Sequence, residues 1–415
     1  MSIDFEEVDP PESLEGAQLE RFSPELAMAL LVDHAVRIGA SDLFLLSGER
    51  DVRVSVRQLG IVRQIARMSN EQGARCMFHV RAAAGLKYDE RRKPQDGRWV
   101  RHRQGGPSID LRLNTMPTLH GESMAMRILI RDSKLLSLES LGLAHPQLGM
   151  LMSWLQSPSG LVLVTGPTGA GKTTTLYACL QHLNDGRRKI HTIEDPIEYA
   201  VDGLLQSQVD DLNGPDYRQL LRAVLRQSPD VVMIGEVRDA MAAETAVRAA
   251  NSGQLVFATL HAPVAVGAIQ SLLGMGVHPH FLCSSLLGVI GQRLVRTLHP
   301  ETKLRIDLNH APQTFAEVQP WLEPGQGKFV YAAAEDAGAD EGYQGRCGIY
   351  ELLNMSPALA DLISAGRPSS EISRKAIEDG MLDFRRASLI KVAQGATSFD
   401  EVLRVVPTAD QWIGR

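Results

Sequence analysis

Apolar positions along the chain change period part-way. Between residues 25 and 38 they recur at helical spacing, at Leu26, Met28, Ala29, Leu31, Ala35 and Val36, which predicts a helix. Residues 42–46 and 52–56 then read as short strands joined by Ser47-Gly48-Glu49-Arg50. Residues 71–85 predict a second helix. Residues 98–130 predict strands broken by Gln104-Gly105-Gly106-Pro107 and by Pro117. The pattern weakens over residues 131–143, the expected linker. Beyond it, the apolar runs 162–165, 189–193, 230–234 and 254–259 read as buried strands with helical stretches between them. Such alternation predicts a mostly parallel sheet with helices on both faces. After Gln292 the chain is less regular. Residues 299–342 are rich in Pro, Gly, Ala and acids and read as a loop-built subdomain, and residues 356–406 are helical again. The expected division is an acidic, disordered lead over residues 1–23, an α/β domain over 24–130, a linker over 131–143, a second α/β core over 144–298, the subdomain over 299–342 and a helical part over 343–415.

Composition agrees with more than one domain. A chain of 415 residues is too long for one ordinary core. With 44% hydrophobic and 22% charged residues it reads as globular and soluble, and no run of 18 uncharged apolar residues predicts a membrane span. The first 20 residues carry seven carboxylates and no Lys or Arg, the opposite of a signal peptide, so a cytoplasmic protein is expected. Cys76, Cys179, Cys283 and Cys347 are too far apart for a C-x-x-C zinc or redox pair. A net charge of −6 argues against a general nucleic-acid binder but allows a local basic patch.

Chemistry is densest at residues 166–173. Gly166, Pro167, Thr168, Gly169, Ala170, Gly171, Lys172 and Thr173 fit the phosphate-binding pattern G-x-x-x-x-G-K-[ST] at every fixed position, and Thr174 follows. A predicted strand precedes the run and a predicted helix follows it. Strand, Gly-rich turn and helix start aim a row of backbone N–H groups, and the positive end of a helix, at one point. Lys172 is expected to reach the β- and γ-phosphates of ATP, and the Thr173 hydroxyl to bind Mg²⁺.

Three further groups lie at expected strand ends. Glu194, Asp195 and Glu198 are three carboxylates in five residues, placed to hold Mg²⁺ through water or to orient an attacking water. Taken alone they are equally a solvated acidic turn. Residues 230–236, Asp-Val-Val-Met-Ile-Gly-Glu, form an apolar strand ending at Glu236, the candidate base for that water. His261 closes the fourth strand. A lone histidine is more often structural, but here it is a candidate γ-phosphate sensor.

In this order the elements resemble the type II secretion / type IV pilus assembly ATPase family. The resemblance rests on Gly166 to Thr173, the stretch Thr192 to Tyr199, Leu221 to Asp239, Thr259-Leu-His-Ala262, Gln292-Arg-Leu-Val-Arg296 and Gly342 to Glu351. In the first domain it rests on Gly39-Ala-Ser-Asp42, Lys93 to Arg98 and Pro117 to Glu122. It implies a PAS-like N-terminal domain and a RecA-like P-loop ATPase domain. It also implies a homohexamer with ATP between the domains and work through an inner-membrane platform protein, at the cytoplasmic face of that membrane. Nine basic residues lie between Arg81 and Arg112. The resemblance gives Arg98 and Arg112 to the phosphates, a task that suits a planar five-donor fork. With only Tyr88 and Trp99 interleaved, no stable nucleic-acid binding is expected. Arg222, Arg226 and Arg238 are weaker candidates for the same interface.

The chain departs from the family pattern in places. The positions of a zinc-binding tetracysteine insert fall on His299, Thr302, Glu335 and Gly338, so no structural zinc is expected. About 23 residues precede the first helix, so the extra N-terminal domain of long members is not expected. Leu59 replaces an aspartate in a turn of the first domain, Phe44 replaces a frequent histidine, and Gln254 stands where a second histidine is usual. Residues 233–239 and 380–385 resemble assembly motors more than the retraction motor of the same superfamily. The alternatives are that retraction motor, a DNA-translocating RecA-like motor, and a regulatory nucleotide-binding protein without useful turnover.

Overall fold

The structure, a computed structural model, describes residues 19–87, 90–102, 108–130, 137–210, 214–309, 313–334 and 342–406. The chain separates into two compact units, Met1–Lys134 and Leu135–Arg415. The boundary falls within the segment expected as a linker, whose residues 131–136 lie outside the described residues, as do residues 1–18 of the acidic lead.

The first unit opens with α1 (Pro24–Arg37), started by Ser23, whose hydroxyl accepts from the Leu26 amide, and by proline in the first turn. Strands β1 (Asp42–Ser47), β2 (Asp51–Gln58) and β3 (Ile61–Ser69) follow, then α2 (Asn70–Ala83), β4 (Gln95–Arg101), β5 (Ile109–Thr118) and β6 (Gly121–Ile130). They make one sheet in the order β3-β2-β1-β6-β5-β4, with every neighbour antiparallel. Leu43, Leu45, Val54, Leu111, Met124 and Met126 line its buried face against Leu31 of α1 and Val80 of α2. The pattern of residues 57–69 did not predict β3. The turn that makes it is Leu59-Gly60, both at positive φ (49° and 85°) between the paired residues Gln58 and Ile61. Leucine is an unusual choice there, so the usual Asn-Gly or Asp-Gly signal is missing. Pro117 does not break its strand either. It pairs with Glu122 one step from the β5–β6 turn, where an absent N–H costs little.

The second unit begins with a 3₁₀ turn (Leu138–Leu141) and α3 (His145–Leu155). Then come β7 (Gly160–Thr165), α4 (Lys172–Leu183), β8 (Ile190–Glu194), β9 (Leu205–Gln208), α5 (Tyr217–Leu225), β10 (Val231–Ile234), α6 (Ala240–Asn251), β11 (Leu255–Leu260), α7 (Ala265–Gly274), α8 (Pro279–Ser285) and β12 (Leu286–Leu298). The chain continues through β13 (Leu304–Asp307), β14 (Phe329–Ala332) and β15 (Tyr343–Asn354). Four helices end it: α9 (Pro357–Ser364), α10 (Ser369–Glu378), α11 (Phe384–Ala393) and α12 (Phe399–Val405). The main sheet runs β15-β12-β7-β11-β10-β8-β9, all parallel except the β12–β15 pair. Alternate residues of its strands feed two cores. Leu161, Leu163, Val232, Ile234, Val256 and Ala258 face one, and Val162, Val164, Val231, Met233, Leu255 and Phe257 face the other. Strands buried on both faces explain the unbroken apolar runs.

Two readings are corrected here. The chain stays regular past Gln292, because β12 runs to Leu298. The part expected to be helical from residue 343 begins with the 12-residue strand β15. The segment 299–342 holds the small β13–β14 sheet. Its Phe315, Val318 and Val330 pack with Leu382, Ile390 and Val392. Of the four zinc-insert positions, His299 and Thr302 precede β13, and Glu335 and Gly338 lie outside the described residues. No helix among the described residues is long and apolar enough to cross a membrane.

Candidate nucleotide site

The loop 166–171 joins β7 to α4 and is built by close approach. A Cβ at Gly166 would lie 2.3 Å from the Gln292 carbonyl oxygen, so only glycine lets the loop pass β12. Gly171 starts α4 at φ 85° with no side-chain cap. The first amides of α4 therefore keep their donors for a ligand, and Thr173 and Thr174 lie half-buried in that first turn. Thr175, one turn in, donates to Gln292 Oε1 at 2.7 Å and moors the helix to β12.

The carboxyl ends of β7, β10 and β11 converge on one line of side chains. Lys172 Nζ donates to the carbonyls of Gly166 (2.8 Å) and Pro167 (3.2 Å) and stands 3.3 Å from His261 Nδ1. His261 Nε2 lies 3.1 Å from Glu236 Oε1. The other oxygen of Glu236 receives Arg238 Nε at 2.9 Å and Nη2 at 2.8 Å, and Arg238 Nη1 reaches Asp195 Oδ2 at 2.9 Å. The order is cation, imidazole, carboxylate, guanidinium, carboxylate, so each charge faces its opposite or a neutral ring. Burial pulls the Lys172 ammonium below its ordinary range, and Glu236 opposes that. Hydrogen bonding to Glu236 raises the Arg238 guanidinium further.

Backbone contacts fix this line. The Gly235 amide donates to Ile193 O at 2.8 Å and the Val237 amide to Thr259 O at 2.9 Å, so Glu236 is held between β8 and β11. The Ala262 amide donates to Thr165 Oγ1 at 2.8 Å, and that hydroxyl donates to the Ala262 carbonyl at 2.9 Å, which locks the residue after His261 to the end of β7.

Glu194, expected beside metal or water, lies apart from this line in a buried network of its own. It is 3% exposed and hydrogen-bonded on both oxygens. Thr192 Oγ1 donates to Oε1 at 2.6 Å and Gln206 Nε2 at 3.1 Å, and the Tyr177 hydroxyl donates to Oε2. A carboxylate enclosed by three donors braces the turn between α4, β8 and β9. Glu198 lies next to the same network, where burial, with the Glu194 and Glu198 charges adding, pushes the Tyr199 hydroxyl up to about 12.

In the first unit, register aligns the candidate arginines. Arg98, Arg112 and Arg127 stand side by side across β4, β5 and β6, followed by Asp42 and Arg57 on β1 and β2. Directly opposed residues share a face, so the three arginines lie in one row on one face of the sheet. Asp110 takes Arg98 Nε at 2.9 Å, and Asp42 takes Arg127 and Arg57 at 3.3 Å each. Two other members of the basic block are braces. Arg81 is fully buried against Glu122, and Arg101 makes a two-pronged pair with Asp33 at 2.7 and 2.8 Å. Arg103 lies outside the described residues.

The sequence pattern described as type II/IV secretion system protein matches residues 19–404. The chain belongs to that family. It is 41% identical over 378 residues to the type II secretion system ATPase E of Vibrio cholerae, covering 90% of this chain and 74% of that one. It is 39% identical over 377 residues to the type IV pilus assembly ATPase PilB of Pseudomonas aeruginosa, covering 91% and 66%. Among solved structures, the Legionella pneumophila ATPase DotB superposes with a TM-score of 0.69 at 20% identity, covering 95% of this chain and 96% of that one. The pilus retraction motor PilT gives 0.61 at 24% identity, covering 92% and 97%. These two likenesses show the fold, RecA-like in its second unit.

Sequence reasoning placed Lys172, Glu236 and His261 at one strand edge, and the structure brings them together. It left Arg238 as a weaker interface candidate, named Gln292 only at the head of a resembling stretch, and did not single out Thr165, Tyr177 or Gln206. For Arg238 a signal existed. An arginine two residues past a strand-end glutamate can fold back on it. The others act across 12 to 117 residues of sequence and leave no local trace.

Proposed function

We propose that this protein binds ATP with Mg²⁺ at the 166–173 loop and hydrolyses it. It works as a homohexamer that drives assembly of a type IV pilus or a type II secretion pseudopilus, through an inner-membrane platform protein at the cytoplasmic face. The observation that carries this reading is the convergence of Lys172, His261 and Glu236 beside a glycine loop that opens an uncapped helix. Close identity to two ATPases named for these systems supports it.

The residues fit the nucleotide. Uncapped amides and the Lys172 ammonium suit phosphate oxygens, which compete with the loop carbonyls for Nζ. Thr173 and Asp195 would hold Mg²⁺, which when bound neutralises phosphate charge, and Glu198 would support its water shell. Glu236 accepts the proton of the attacking water, and His261 Nε2–H keeps that carboxylate turned inward. Glu194 positions the Asp195 turn. Arg98 and Arg112 supply guanidinium groups to the γ-phosphate. Most of the rate then comes from placement and fixed charge.

The test is phosphate release by the purified chain with Mg-ATP. Lys172→Ala is expected to abolish it, and Glu236→Gln to lower kcat by about 10² or more while ATP still binds. Wild-type turnover in either variant would remove that residue from the site. Bald cells on deletion support assembly, and hyperpiliated cells support the retraction motor. Stimulation by DNA rather than by a platform fragment would favour the DNA-translocating reading.

A further inference from the structure

The segment Gly342 to Glu351 carries part of the family resemblance, yet nothing in the nucleotide reading uses it. Its last residue, Glu351, lies in β15 opposite Gly291 of β12 and is buried. Oε2 accepts from the Ala265 amide at 2.9 Å and Oε1 from the Phe384 amide at 3.1 Å. These are the first residues of α7 and α11. Val264, which precedes α7, offers no side-chain cap, so Glu351 supplies the acceptor that helix start lacks. Gly291 leaves room for it. A Cβ there would lie 3.1 Å from Oε2 and 3.2 Å from the Ala265 nitrogen. One carboxylate thus receives the positive ends of two helices.

Arg293, two residues along β12, extends the tie. Nη1 donates to the Val405 carbonyl at 2.9 Å and Nη2 to the Pro263 carbonyl at 3.2 Å, with the guanidinium 5.3 Å from the centre of the Phe384 ring. The loop after His261 is therefore pinned three times, at Ala262 by Thr165, at Pro263 by Arg293 and at Ala265 by Glu351. Two of the three pins lead into the C-terminal helices.

We propose that Glu351 is a positioning residue for His261, whose charged carboxylate ties the His261 loop to the start of α11 and is required for full turnover. The proposal rests on the reading of His261 as part of the nucleotide site. The charged groups facing Glu351 are Arg293 from β12 and Asp383 at the start of α11, and α7 carries no ionisable side chain. Burial pushes the carboxyl up to about 7, Asp383 adds to the rise, and the two amides and Arg293 oppose it. Such a group changes charge near neutral pH, and its protonated form is a poorer acceptor for two N–H groups.

The test measures kcat and KM for Mg-ATP between about pH 5.5 and 9 in the full chain, for wild type, Glu351→Gln and Asp383→Asn. Wild-type kcat is expected to fall on the acid side with a midpoint near 7. Glu351→Gln should lower kcat about tenfold with KM within about threefold, and should lose that limb. Asp383→Asn keeps a good helix cap and removes one neighbouring negative charge, so its midpoint should move to lower pH. This second variant decides the matter even where the first fails to fold. An unmoved midpoint in Asp383→Asn, or wild-type kcat in folded Glu351→Gln, overturns the proposal. Failure of the underlying function reading looks different: wild type then releases no phosphate at any pH, or His261→Ala leaves turnover intact.

Discussion

His261 stands between Lys172 and Glu236, with Nδ1 3.3 Å from the ammonium and Nε2 3.1 Å from a carboxylate oxygen. An ammonium only donates, so Nδ1 accepts and the ring proton sits on Nε2, facing Glu236. The imidazole is then a neutral spacer that holds a cation and an anion at fixed separation. His261→Ala is expected to lower kcat by about ten- to a hundredfold, with nucleotide affinity within about threefold. Steady-state phosphate release beside a fluorescent-nucleotide titration checks this. A loss confined to affinity would make His261 a ground-state binding group instead.

Glu194 separates bracing from metal binding. It is enclosed by Tyr177, Thr192 and Gln206. Glu194→Gln and Tyr177→Phe are each expected to destabilise the second unit by about 1–3 kcal/mol, because each removes one partner from a buried hydrogen bond. The Mg²⁺ concentration needed for half-maximal turnover should stay within about twofold of wild type. A large rise in that concentration for Glu194→Gln would return this carboxylate to the metal.

The β2–β3 turn carries strain that one substitution should relieve. Leu59 is held at φ 49° beside Gly60 at 85°. A side chain that tolerates the left-handed region suits the first position better, and Asn-Gly is the favoured pair. Leu59→Asn is expected to stabilise the first unit by about 1 kcal/mol, read as a higher midpoint in thermal unfolding. A lower midpoint would mean that packing of the half-buried Leu59 outweighs the backbone.

Glu351 also predicts how stability depends on pH. Its folded value is raised from 4.5 to about 7. The native chain therefore binds a proton there through a window in which the unfolded chain does not. The stabilisation is full below the ordinary value and is lost as pH rises through about 7, a change of about 3 kcal/mol at most. Glu351→Gln lacks this dependence. The gap in unfolding midpoint, wild type minus variant, should therefore shrink between about pH 5 and 8. A gap that widens over that range would reverse the assigned direction.

What could be read in the sequence was local. Lys172 and Thr173 are legible because strand, loop and helix are consecutive, and Glu236 and His261 because each ends an apolar strand. Residues whose roles depend on distant partners were not legible. Arg238 acquires its role from Asp195, 43 positions away, and Gln292 from Thr175, 117 away. The long strand β15 was obscured by Gly345 and Gly348. The second of these is required because a Cβ would meet the buried Tyr350 side chain, at 2.3 Å from its hydroxyl oxygen and 2.4 Å from its ring. Leu59 hid β3 in the same way, by putting an improbable residue at a tight turn.

The strand order of the larger sheet also governs how the chain matures on the ribosome. The loop-bearing strand β7 lies between β11 and β12, and β12 in turn needs β15 on its far side. Nearly two hundred residues separate the start of β7 from the end of β15. Until they have emerged, one flank of the nascent domain exposes apolar surface and unpaired amides, a condition that invites chaperone capture. Shortening the gene from its 3′ end into β15 should therefore yield aggregates rather than a smaller working enzyme, even though every residue of the glycine loop would still be translated.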